Sequence, residues 1–224
     1  MIPWVRLDSA GIPGGGELRL MQRGAEFSIM SGAIELMNSR LSGSEQALAT
    51  LTNARLADRK APRLLIGGLG MGFTLRAALT DLPDDGEVVV AELVPAVIAW
   101  ARGPMAHLFG GSLTDRRVAV READVADVIS GSKAGFDAIL LDVDNGPGGL
   151  NRQANDRLYT GAGLNAARRA LRPGGILAVW SAGPDLEFTR RLQHARFAAE
   201  EIAVRASGGK RGARHVIWLA TPNS

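Results

Sequence analysis

Five short, unbroken apolar runs constrain this chain more than any other feature: Leu64–Ile66, Val88–Ala91, Val118–Val120, Ala138–Leu141 and Ile176–Trp180. A strand that does not alternate apolar with polar residues is buried on both faces. That happens in parallel sheets covered by helices on each side. The stretches Phe73–Leu79, Ala96–Phe109 and Asn155–Leu171 read as those helices. After Leu171 the run Arg172-Pro173-Gly174-Gly175 reads as a helix stop before the next strand. Pro184–Ala195 then reads as a helix, and Glu200–Arg205 and His215–Ala220 as strands linked by Gly208-Gly209-Lys210-Arg211-Gly212. A short glycine-rich link makes an antiparallel hairpin, not a crossover. The expected fold is therefore α/β and Rossmann-like, with a mostly parallel seven-stranded sheet ending in an antiparallel hairpin. That is the layout of S-adenosylmethionine-dependent enzymes; dinucleotide dehydrogenases continue with parallel strands.

Residues 1–60 differ. Trp4–Leu7, Glu17–Gln22 and Glu26–Met30 read as small strands broken by glycine turns. Ser42 with Glu45 three residues later reads as a capping box opening a helix over Gln46–Ala57. This gives two expected units: a strand-rich segment plus helix over 1–60, and a nucleoside-binding catalytic domain over 61–224.

At 224 residues, 46% hydrophobic and 22% charged, the chain has material for one α/β domain and a small appendage. It has no run of about 18 apolar residues and no charged head leading into an apolar stretch, so neither a membrane span nor a secretory signal is expected. A cytoplasmic location follows as the expectation. Without cysteine there is no disulfide or thiolate chemistry. His107, His194 and His215 lie far apart with no carboxylate at ligand spacing, so no metal is expected. The net charge is +3. The clusters Arg168-Arg169-Arg172, Arg190-Arg191 and Lys210-Arg211-Arg214 lack interleaved aromatic residues, and the first two fall on predicted helices. They read as solvated faces, and nucleic-acid contact is not expected.

The first run leads into Gly67-Gly68-Leu69-Gly70-Met71-Gly72 and then a helix. Glycine permits positive φ and close approach of a ligand to the backbone, and the helix offers its free N–H groups and positive dipole end. Gly68, Gly70 and Gly72 are the candidate cofactor-binding glycines. Glu92 ends the second strand, about twenty residues on, where a carboxylate accepts both ribose hydroxyls. Asp124 follows the third strand. It either accepts from an adenine amine, with the Val125 N–H facing the ring, or caps a helix. Asp142 follows the fourth strand and precedes the glycine- and proline-rich loop Val143-Asp144-Asn145-Gly146-Pro147-Gly148-Gly149, suited to act as a lid. All four features lie at carboxyl ends of strands, where open α/β sheets bind ligands.

The stretches IGGLGMGFTLR, VVVAELVPAVI, RVAVREADV, FDAILLDVDNGP and LY...ALRPGGILAVW together resemble the spermidine synthases over roughly residues 61–181. That resemblance implies transfer of an aminopropyl group from decarboxylated S-adenosylmethionine to a diamine such as putrescine. It also implies release of methylthioadenosine, no metal, and a homodimer, for which Trp4 and the N-terminal strands are contact candidates. It makes Asp142 the candidate base, Asp144 its partner in holding the dication, and Asn145, Tyr159 and Glu45 further candidate substrate-binding residues. Tyr159 reads equally as helix packing, and Asp142 alternatively as a ligand-orienting or capping residue. The chain departs from the family at Met71 and Val94, which replace acids, and at Asn145, which replaces the second loop acid. An aromatic is also lost around Gly43–Ser44.

Rival readings are a methyltransferase using intact S-adenosylmethionine, a non-catalytic nucleoside-binding homologue and, more distantly, a nicotinamide oxidoreductase. Asn145-Gly146-Pro147-Gly148 lacks the Pro-Pro-aromatic loop of base-modifying amino-methyltransferases.

Overall fold

The computed structural model describes residues 2–143, 146–147, 153–207 and 212–223. Its core is a seven-stranded sheet. Five parallel strands, β5 (Arg63–Gly67), β6 (Glu87–Glu92), β7 (Val118–Glu122), β8 (Phe136–Leu141) and β9 (Leu171–Ser181), are joined by the antiparallel pair β10 (Phe197–Arg205) and β11 (Arg214–Pro222). The order is β10-β11-β9-β8-β5-β6-β7. The chain leaves β5 toward β6 and β7, then returns to β8 on the other side. The switch point therefore lies between β5 and β8, where Gly67 pairs with Leu141.

Strand side chains alternate between two cores. Leu64, Ile66, Ala138, Leu140, Ile217 and Leu219 enter one, while Leu65, Ile139, Leu141, Val216 and Trp218 enter the other. This period of two is what a sheet covered on both faces requires. The second core holds a chain of edge-to-face rings, Tyr159 on Phe188 and Phe188 on Trp218. The first core continues through Leu18, Leu20, Phe27 and Ile29 into a separate antiparallel sheet. That sheet comprises β1 (Val5–Gly11), β2 (Glu17–Arg23), β3 (Glu26–Ser31) and β4 (Ile34–Asn38). Trp100 Nε1 donates to Asp8 at 2.6 Å, tying β1 to helix α3 (Pro95–Arg102). No helix among the described residues is long and apolar enough to cross a membrane.

Several local expectations are corrected. Ser42 is the N-cap of α1 (Gly43–Arg55), but the capping box does not form: Glu45 accepts from the Ser44 hydroxyl, and Ser42 Oγ accepts from Gln46. The expected helix over Ala96–Phe109 is two, α3 and α4 (Ala106–Phe109), parted at Gly103-Pro104. Proline lacks an N–H and drives its predecessor out of the helical region. Between β7 and β8 lies α5 (Val125–Ser130), which the apolar pattern does not reveal. The expected helix over Asn155–Leu171 is also two, α6 (Gln153–Tyr159) and α7 (Gly161–Ala170). Thr160 breaks it by accepting the Gly163 N–H at 3.1 Å as an N-cap. The helix does stop here, at Ala170, but Leu171 already pairs with Phe136, so Arg172–Gly175 is a bulge inside β9 and not a link before it. Trp4 is half-buried beneath the Arg23 guanidinium, 4.7 Å from its ring centroid.

Asp137, on β8, is 2% exposed. It accepts from Arg63 N at 2.8 Å and Arg172 Nη1 at 2.7 Å, with Arg59 Nη1 3.6 Å away. It thereby joins the β5 start to the β9 bulge. Its arginine partners are about one third exposed, so removing the acid leaves them less stranded than in a dry core. Asp137→Ala is expected to cost about 2 kcal/mol. The check is the urea midpoint at unchanged m-value.

Candidate active site

The cleft opens at the switch point. Gly68 N donates to Ala91 O at 2.9 Å and Asp142 N to Gly67 O at 3.1 Å, so the glycine turn is tied to β6 and to the end of β8. Gly68, Gly70 and Gly72 all have positive φ, and Gly72 caps α2 (Phe73–Thr80). A Cβ on Gly72 would lie 2.4 Å from the Phe109 ring. Gly72 is thus fixed by packing beneath the turn as well as by its φ.

Glu92 is 8% exposed. Its Oε2 accepts from Leu69 N at 2.9 Å and its Oε1 from Val94 N at 2.8 Å. One carboxylate thus holds the glycine turn and the start of α3. Asp124 caps α5, accepting from Ala126 N at 2.8 Å through Oδ1, and its Oδ2 meets Arg157 Nη2 at 2.6 Å. The capping alternative for Asp124 is therefore realised, and the same side chain lines the cleft. Val125 packs its methyls against Gly67.

One cavity of about 670 Å³, counted to its mouth, is lined by Gly68, Gly70, Glu92, Asp124, Val125 and Asp142. Its roof comes from the N-terminal sheet: Leu18, Ile29, Leu36 and Met37. A second cavity adjoins it, sharing Leu36, Met37, Gly70 and Asp142, and adds Glu45, Met71, Gly72, Phe73 and Trp180. Asp142 stands where the two meet.

Thr74 donates to Asp142 Oδ2 at 2.5 Å. Burial, and then the charge of Glu45, push the Asp142 carboxyl up to about 7, against the pull of the Thr74 bond. Glu45 is also raised by burial, opposed by the bond from Ser44. Two carboxyls in one dry corner resist joint ionisation, which makes the corner receptive to a cation or a proton.

Tyr159 is placed differently from its candidate role. It is 1% exposed and packs on Phe188 in the second core, so among the described residues it is a helix-packing group. Asp144 and Asn145 lie outside the described residues, as do Gly148 and Gly149 of the loop. Sequence reasoning missed Met37, Leu36, Trp180 and Thr74. The missing signal was strand β4, since Ile34-Glu35-Leu36-Met37-Asn38 carries no clear alternation.

Glu92→Ala removes a carboxylate that lines the cleft and strands two amides. We expect nucleoside affinity to fall at least about tenfold, with a loss of about 2 kcal/mol in stability. Calorimetric binding of methylthioadenosine together with a denaturation curve measures both.

No family model matches the chain. A polyamine aminopropyltransferase of Mycobacterium tuberculosis (strain CDC 1551 / Oshkosh) is 33% identical to it over 138 residues, 60% of this chain and 25% of that protein. The chain spans between 25% and 40% of the length of the curated relatives it matches. A spermidine synthase from Thermotoga maritima superposes with a TM-score of 0.77 at 19% identity, covering 97% of this chain and 73% of that one. A spermidine synthase in complex with the transition-state analogue AdoDATO gives 0.75 at 18% identity, covering 97% and 72%. Over about 60% of its length the chain is similar in sequence to polyamine aminopropyltransferases, and its fold is that of the spermidine synthases.

Proposed function

We propose that this protein transfers an aminopropyl group from decarboxylated S-adenosylmethionine to a small amine. The observation that carries this reading is Asp142 at the junction of two cavities, one lined by the glycine turn and Glu92, the other containing a second acid. The nucleoside would lie in the first, its ribose on Glu92 and its base beside Asp124 and Val125. The amine would enter the second.

The chemistry fits these residues. An alkyl amine has a pKa near 10 and reaches the site protonated. Glu45 and Asp142 attract the cation. Beside a sulfonium and out of water, the ammonium becomes a stronger acid. Thr74 holds Asp142 Oδ2, and we assign Oδ1 to the amine. The amine gives its proton to that carboxylate. Its lone pair forms the new C–N bond at the methylene carbon, and the C–S bond breaks with its electrons going to sulfur. Neutral methylthioadenosine leaves, and the proton passes to solvent. The geometry supplies alignment and a dry base, the two contributions this displacement needs.

The test is incubation with decarboxylated S-adenosylmethionine and a panel of mono- and diamines, with methylthioadenosine followed by mass spectrometry. Amine-dependent release supports the reading. Its absence, with S-adenosylhomocysteine formed from the intact sulfonium instead, overturns it in favour of methyl transfer.

The pH dependence has a definite sign. A base must be ionised, so kcat/KM is expected to rise through about pH 7 and level off above it. Glu45→Gln removes one of the two upward pushes on Asp142, and the midpoint should move to lower pH. A pH–rate profile of both proteins shows whether it does.

A further inference from the structure

A hydrogen-bonded line runs from strand β11 to the second cavity. His215 Nδ1 lies 2.9 Å from Ser44 Oγ, and Ser44 Oγ donates to Glu45 Oε2 at 2.7 Å. Ser44 is fully buried, and neither it nor His215 lines either cavity. The line joins residues 171 apart in sequence. Two further contacts hold it. Gly43 N donates to Ala206 O at 2.8 Å, pinning the start of α1 to the end of β10. The His215 ring meets Trp180 edge to face, with centroids 4.8 Å apart, and Trp180 is a wall of the second cavity.

The direction of the line follows from valence. A serine hydroxyl has one proton. A carboxylate accepts only, so that proton goes to Glu45. Ser44 Oγ can then only accept from the imidazole, so His215 must carry its proton on Nδ1. Burial lowers the His215 pKa, so the ring is neutral and this is a choice between tautomers.

We infer that Ser44 and His215 are positioning residues for the amine end of the cleft: together they fix one oxygen of Glu45, leaving the other for the incoming ammonium, while His215 also braces Trp180. This rests on the second cavity being the amine site. Without the line, Glu45 has several rotamers, and an amine would have to select one of them on binding. The loss therefore falls on amine affinity, with the nucleoside half untouched.

The experiment combines three readouts on the whole protein. Imidazole 15N spectra at pH 8 report the His215 tautomer. Calorimetry gives the Kd of putrescine with methylthioadenosine-saturated protein. Steady-state transfer gives KM and kcat. The expected results are an Nδ1-protonated His215, and about tenfold weaker putrescine binding and higher KM in Ser44→Ala and His215→Leu, with kcat within about threefold of wild type. Ser44→Thr keeps the hydroxyl and His215→Asn keeps a donor near Nδ1; both should recover to within about threefold. Methylthioadenosine affinity should be unchanged in all four, which also shows that they fold. An Nε2-protonated ring, or Ser44→Ala binding putrescine as tightly as wild type, overturns the inference. A wild type that binds putrescine but transfers nothing sinks the transferase reading alone, and the putrescine Kd values then decide the positioning role. A wild type that binds no putrescine overturns the inference directly.

Discussion

Asp142→Asn is expected to lower kcat by at least about a hundredfold, the usual share of an acid–base group, while methylthioadenosine affinity stays within about twofold. Asparagine keeps the size of the side chain and an oxygen for the Thr74 hydroxyl, but it cannot take a proton from an ammonium. The same substitution should make the protein more stable at pH 8. The Asp142 carboxyl is raised from an ordinary value near 4 to about 7 in the folded chain. Folding therefore favours its protonated form, and the wild type loses stability as pH climbs from about 4 to 7. The neutral variant escapes that loss. Its stability advantage is absent below about pH 4, grows up to about pH 7 and is constant above. Thermal melts at pH 4, 6 and 8, set beside single-turnover rates, read both effects. A variant as fast as wild type removes Asp142 from proton transfer. One that loses activity and stability together would show that Asp142 serves packing instead.

What the sequence made legible was what local chemistry dictates. β5, β6 and β8 are continuous apolar runs because helices cover both faces, so their strand character and parallel pairing needed no partner to be known. Gly68, Gly70 and Gly72 announce a turn with positive φ, and Glu92 falls at the end of the next strand by spacing alone. The lost information was of another kind. Ser42 and Glu45 have the spacing of a capping box, but Glu45 is instead turned to the hydroxyl of its neighbour Ser44, which meets His215 across 171 positions. Tyr159 sits at the end of a helix pattern that cannot say which core the ring enters; the break at Thr160 directs it onto Phe188. Thr74 looks like an ordinary helix residue until β8 brings Asp142 to it across 68 positions. The roof formed by Leu36 and Met37 depends on pairing between β3 and β4, and that register has a bulge between Ile29 and Met30 that blurs any alternation. The first cavity was read from short motifs at the ends of successive strands, β5, β6 and β7. The second cavity and the His215–Ser44–Glu45 line are assembled from α1, β8, β9 and β11, and no short pattern encodes such an assembly.

Gly68→Ala should be strongly destabilising. Two costs combine there. Gly68 has φ +89, which costs an L-residue about 1–2 kcal/mol. Its new Cβ would also stand 2.6 Å from the Asp142 carbonyl oxygen, a backbone atom held by the β8 strand end, with Val143 Cγ1 at 3.6 Å. Backbone cannot swing aside as a flexible side chain does, so overlap adds a similar amount, for a total of about 3 kcal/mol. The internal control is Gly14, which has φ +88 and nothing within 4 Å of an added Cβ. Gly14→Ala carries the same conformational strain without the clash and should lose about 1–2 kcal/mol. The difference between the two variants isolates the close approach of the glycine turn to β8. It should appear in function as well. Gly68→Ala must push apart the turn and Asp142, so on the proposed function methylthioadenosine affinity is expected to drop more than tenfold, while Gly14→Ala binds as wild type does. Urea denaturation and calorimetry on the pair decide it: equal stability losses would mean that φ strain alone is at work and that the turn has room to spare beside Asp142.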